Sequence, residues 1–143
     1  MLEKSSAISF RPKVVIGCFG MDQHEAGALL AAKTLTDSGA EVVYLGRFQL
    51  AVHLARVAEA EDADVIGVSC HSWEYLRYTK ELLELVGDVD EPPAVVLGGS
   101  VITPADERDL LGQGVAAVVG AGAPKGVIVE AVWQAARHRR GLA

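Results

Sequence analysis

Five short β-branched runs alternate with five longer segments of helical spacing, which predicts an α/β chain built on one doubly wound parallel sheet. Each run is apolar nearly throughout, as strands are when helices cover both faces. The length of 143 residues suits one domain of this kind.

The runs fall at 13–17, 41–45, 64–68, 94–97 and 115–119. After the first, Ala28, Leu29, Ala32 and Leu35 share a helical face, and Asp37-Ser38-Gly39 ends that helix. Leu50, Leu54, Val57 and Ala58 form the second stripe, and Leu76, Leu82, Leu83 and Val86 the third. The fourth helix is expected to start at Thr103-Pro104, with Thr as N-cap and Pro in the first helical position. The fifth starts near Pro124 and carries Val127, Ile128, Ala131, Val132 and Ala135. Right-handed crossovers then give a flavodoxin-like strand order, 2-1-3-4-5. The domain is expected over 11–138, with tails at 1–10 and 139–143, and Arg137-His138-Arg139-Arg140 reads as a solvated helix end whose cations complement the dipole.

Composition excludes several roles. Half the residues are apolar and 22% charged, which suits a packed core and not a disordered chain. Thirteen Lys and Arg against 19 Asp and Glu leave a net charge of −6, the wrong sign for nucleic acid or an anionic membrane surface. No apolar run approaches a membrane span, and the first ten residues lack a secretory apolar stretch. Cys18 and Cys70 make no disulfide framework, so the expected compartment is the cytoplasm.

In an open parallel sheet, ligands bind beyond the carboxyl ends of the strands, where the order reverses between strands 1 and 3. That rule nominates the stretch from Cys18 to Gly27, then Ser69-Cys70-His71-Ser72-Trp73, Gly98-Gly99-Ser100 and Gly120-Ala121-Gly122. Gly17, Gly20 and Gly27 miss the dinucleotide spacing, and no Gly-Lys-Ser/Thr follows a strand. Ser69 stands where a phosphoacceptor domain needs Asp. A cysteine nucleophile beside His24 or His71 is a further reading, set against cysteines that simply fill the core. Cys18, His24, Cys70 and His71 converging on a transition metal is another, without a tight ligand spacing to support it. His53 has no partner along the chain and reads as surface.

Asp22-Gln23-His24 is the most informative loop. A carboxylate two residues before a His can hold one ring nitrogen and leave the other as a more basic metal ligand. Spacing alone also allows a polar loop before a helix. Gly27 would let the chain pass close to a bulky ligand.

Taken together, these loops resemble the cobalamin-binding domain of adenosylcobalamin-dependent carbon-skeleton mutases. Asp22-Gln23-His24-Glu25-Ala26-Gly27 matches D-x-H-x-x-G, Ser69 matches the Ser of S-x-L, and Gly98-Gly99 matches the glycine pair after strand 4. Gly46-Arg47-Phe48-Gln49 and the run from Val96 to Ala123 are similar to acyl-CoA mutases of the methylmalonyl-CoA type, and the likeness spans Arg11 to Ala136. The chain departs at two positions: His71 replaces the Leu of S-x-L, and Cys18 stands where many acyl-CoA mutases carry Lys.

The resemblance implies that His24 is the lower axial ligand of cobalt, oriented by Asp22, in a cofactor whose benzimidazole has left the metal. The freed nucleotide tail would enter a slot between strands 1 and 3. Ser69 would bind it, while Gly98, Gly99, Gly120 and Gly122 keep the slot clear of side chains; Gln23, Gly27, His71 and Ser100 complete the expected cofactor-binding set. It also implies a separate (β/α)8-barrel subunit that binds the acyl-CoA substrate, without which this chain is inactive. Corrinoid methyltransfer proteins usually carry a helical cap domain before this fold, and the short stretch before strand 1 argues against them. The readings from a different class are a non-catalytic sensory or regulatory module and the Cys/His metal site.

Overall fold

The computed structural model describes residues 10–19 and 25–142. Asp22, Gln23 and His24 lie outside them. The described strands are β1 (Lys13–Phe19), β2 (Glu41–Gln49), β3 (Val65–Ser69), β4 (Ala94–Gly99) and β5 (Ala117–Gly120). They alternate with α1 (Ala26–Asp37), α2 (Ala51–Glu61), α3 (Tyr75–Gly87), α4 (Pro104–Gln113) and α5 (Lys125–Arg139). All pairings are parallel and the order is β2-β1-β3-β4-β5, as expected.

Side-chain alternation along the strands divides the core into two layers. Val14, Ile16 and Cys18 face one side with Ala28, Leu35 and Val132, under α1 and α5. Val15 and Phe19 face the other with Leu54, Leu82 and Leu110, under α2, α3 and α4. Leu54, Leu82 and Leu97 are wholly buried, each contributing about 1.5–3 kcal/mol of transfer free energy. Thr103 caps α4, its Oγ1 accepting from Asp106 N at 3.1 Å, with Pro104 next. No helix among the described residues is long and apolar enough to cross a membrane.

Besides strands that run up to four residues past their expected ends, the structure departs from the sequence reading in three places. The fifth strand begins at Ala117, two residues late, because Val115 is still closing the turn from α4 through its N–H to Leu110 O at 3.1 Å. The helical stripes overshoot: Leu29, Leu50, Leu76 and Val127 match the apolar period but are exposed. They stand at or near the amino ends of their helices, above the carboxyl ends of the strands, where no further layer covers them. The end of α5 is solvated only in part: Arg137 and His138 are exposed, but the two residues that follow are held. Arg139 and Arg140 donate to Oδ1 of Asp64 at 2.8 and 2.6 Å, and Asp64 is fully buried at the amino end of β3.

Candidate functional site

The site is shaped by where β3 and β4 end. Cys70 continues β3 by donating its N–H to Gly98 O at 2.7 Å, which holds Ser69 and His71 at the carboxyl edge. Gly99 makes this approach possible. Its φ of +140° suits glycine, and a Cβ there would lie inside the Cys70 carbonyl. His71 is therefore placed by backbone pairing. Its Nε2 lies 2.9 Å from Ser69 Oγ and its Nδ1 3.1 Å from Ser100 Oγ, so three residues named from the sequence meet in one hydrogen-bonded group.

Ser69 and His71 open onto a crevice of about 200 Å³ between α1 and α5. Its floor runs from Ile16 of β1 across Val96 of β4 to Val119 of β5, so it extends further along the sheet than a slot between strands 1 and 3. Ser69 and His71 are the only polar side chains among its described lining residues. Such a crevice accepts a long, mainly apolar group with polar contact on one wall.

The glycines divide into two kinds. Gly120 and Gly122 line the crevice, and a Cβ on either would meet nothing within 4 Å. Gly98 and Gly99 also border it, and their missing side chains serve strand packing as well. A Cβ on Gly98 would press on Val119 O at 3.3 Å, and one on Gly99 would strike Cys70. Gly99 differs from the expectation that all four keep a slot clear, because its missing Cβ makes room for the Cys70 backbone. Gly27 faces the polar group, its Cβ position 3.7 Å from His71 Nε2 and 3.9 Å from Ser69 Oγ.

Glu25, just before α1 and outside the crevice lining, makes contacts that spacing did not reveal. Tyr44 of β2 donates its hydroxyl to Glu25 Oε2 at 2.5 Å, and Arg47 Nε lies 3.5 Å from Oε1. The residue after His24 is thereby tied to β2. The Gly46-Arg47-Phe48-Gln49 segment that supplies Arg47 carries an irregularity, since Ile16 pairs with Tyr44 but Gly17 with Gly46, skipping Leu45. Phe48 is left with φ +64° and half exposed.

Burial first, and then the Glu25 carboxylate, push the Tyr44 phenol well above the usual range. Tyr75 is raised likewise, by burial and by its 2.8 Å bond to Asp106 Oδ2. A raised pKa in the fold means that this stabilisation is complete below about pH 10 and is lost as pH climbs through the folded value. Alkaline spectrophotometric titration should therefore show Tyr44 and Tyr75 ionising only as the protein unfolds. Ordinary ionisation of all three tyrosines in a protein still folded would contradict these contacts.

The two cysteines do not converge. Cys18 points into the layer under α1 and α5, and Cys70 into the layer under α2 and α3, on the opposite face. This corrects the four-ligand metal reading. Among the described residues, no three His, Cys, Asp or Glu side chains form a metal site. Both thiols are buried, and His53 is exposed.

Residues 12–127 match the family model of the B12 binding domain. The chain belongs to this family. It is 33% identical over 120 residues to the pivalyl-CoA mutase small subunit of Xanthobacter autotrophicus, covering 84% of this chain and 80% of that one. It is 32% identical over 114 residues to methylmalonyl-CoA mutase of Escherichia coli, covering 80% of this chain but only 16% of that much longer protein. A cobalamin-binding protein from Desulfitobacterium hafniense has the same fold, with a TM-score of 0.71 at 19% identity over 87% of this chain and 59% of that one. This B12-binding domain is thus similar both to a mutase small subunit and to one part of a much longer mutase chain.

The crevice fits the elongated apolar part of such a cofactor. It is open at the carboxyl edge, lined by aliphatic side chains and backbone, and widened where Gly120 and Gly122 lack Cβ atoms.

Proposed function

We propose that this chain is the cobalamin-binding small subunit of a heteromeric, adenosylcobalamin-dependent carbon-skeleton mutase acting on an acyl-CoA in the cytoplasm. The observation that carries this reading is the open apolar crevice, with Ser69 and His71 on one wall and Gly120 and Gly122 on another. In this reading, His24 would hold cobalt and Asp22 would orient its ring, with Gln23 and Gly27 completing the loop. Ser69, with His71 and Ser100 beside it, would hold the nucleotide tail. Gly120 and Gly122 leave the tail its space, and Gly98 and Gly99 let the strands come close enough to form the floor. The chemistry the cofactor supplies is homolysis of a cobalt–carbon bond, which yields the radical that begins the rearrangement.

The partner in this reading is a (β/α)8-barrel subunit that holds the acyl-CoA and encloses the radical, so this chain alone is inactive. The surface supports such a partner. Of the nine exposed large apolar residues among those described, seven (Leu29, Leu30, Phe48, Leu50, Trp73, Leu76 and Val127) stand near the carboxyl ends of the strands. Trp73 is 82% exposed, a cost in water that a covering subunit would relieve.

Titration with hydroxocobalamin and adenosylcobalamin, followed by visible spectra and by EPR of the reduced cob(II)alamin complex, tests the reading. The expected result is binding with benzimidazole off cobalt and a protein nitrogen on it, lost in His24→Ala. Gly120→Leu should keep the fold, since its Cβ meets nothing, and weaken binding by at least about tenfold. No binding by the wild type, even with the large subunit present, would overturn the proposal.

A further inference from the structure

His71 touches both Ser69 and Ser100, and the geometry restricts what Ser69 can offer a ligand. A neutral imidazole has one N–H donor and one acceptor nitrogen. If Ser69 donates to Nε2, its only proton is taken and it shows the crevice lone pairs alone. If Nε2–H instead donates to Ser69 Oγ, Ser100 donates to Nδ1 and the Ser69 proton is left for the crevice. The distances of 2.9 and 3.1 Å accommodate both arrangements.

Resting on the reading above, we propose that Ser100, His71 and Ser69 form a one-way hydrogen-bond relay that turns the Ser69 hydroxyl proton toward an acceptor on the nucleotide tail. The chemical class of that acceptor follows from the functional reading, in which the tail carries a ring nitrogen that has left cobalt. A heteroaromatic nitrogen released from a metal brings a bare lone pair into a space whose other described side chains are apolar. Of the two neutral tautomers, the Nε2–H form provides it with a side-chain donor, Ser69. The three bonds then run in one sense, Ser100 O–H to Nδ1, Nε2–H to Ser69 Oγ, and Ser69 O–H to the ligand, and each polarises the next. His71 is a positioning residue here. It acts through Ser69, and Ser100, on the exposed rim, selects the tautomer.

The test combines tautomer detection with a mutant cycle on the full chain. In histidine-¹⁵N-labelled protein, with the His71 signal identified by its loss in His71→Leu, the hydroxocobalamin complex should show the proton on Nε2. His71→Leu should weaken hydroxocobalamin binding about fivefold, have no further effect in a Ser69→Ala background, and leave binding of tail-less cobinamide unchanged. Ser100→Ala should mix the tautomers and Ser100→Thr restore the single form. A proton on Nδ1 in the complex overturns the relay, as does His71→Leu having no effect or weakening binding equally without Ser69. Wild-type protein that binds no cobalamin overturns the functional reading itself, and the relay's ligand with it. Binding that ignores His71 overturns the relay alone.

Discussion

Replacing Arg139 and Arg140 together by Met is expected to destabilise the protein by about 3–5 kcal/mol, lowering the unfolding midpoint by roughly 10–20 °C. Both guanidinium groups bond Asp64 Oδ1, while Lys13 N–H donates to Oδ2 at 2.9 Å. Asp64 has no exposed surface and the Arg139 side chain only 9%, though Arg140 is 44% exposed, so water replaces the lost partners poorly. The penalty comes from the charge left behind more than from the bonds removed. Adding Asp64→Asn to the double variant should therefore recover part of the loss. The clamp lies at the amino end of β3, opposite the crevice, so ligand binding at low temperature should survive. Urea unfolding measures both effects, and a loss below about 1 kcal/mol would place this pair with ordinary surface salt bridges.

Gly99→Ala is expected to cost about 2–5 kcal/mol, combining a collision with the strain of a positive φ. The new methyl group would occupy the position of the Cys70 carbonyl, so the chain between Ser69 and His71 must move. Stability and the crevice should fail together. Gly98→Ala is the control. Its Cβ meets Val119 O at 3.3 Å, which a small shift of β5 relieves, and the expected cost is below about 1.5 kcal/mol. Chemical denaturation, with cobalamin titration of whatever stays folded, separates the two. Equal and small effects at both positions would refute the close approach of β4 to Cys70.

Local pattern carried a large share of the architecture. β-Branched runs between helical segments were enough for the strand order, because buried parallel strands and right-handed crossovers leave few alternatives. Thr103-Pro104 was readable as a helix start because capping involves only neighbours in the chain. Ser69, His71 and Ser100 were nominated by topology, since residues at strand carboxyl ends share one edge whatever their separation along the chain. Periodicity could not say where a stripe stops being covered. Leu29, Leu50 and Leu76 keep the helical repeat, yet they project past the edge of the sheet.

The chain by itself determined the elements, their order and the edge on which a site must lie, since each depends on near neighbours or on the handedness of L-residues. Tertiary structure alone decided that Glu25 is held by Tyr44, that Cys18 and Cys70 face opposite layers, and that Asp64 is clamped by two arginines. It also decided that Gly99 serves the backbone of Cys70 while Gly120 opens the crevice. These contacts join residues far apart in sequence. What a residue packs against is set by the crossing of distant strands and helices, which no local spacing records.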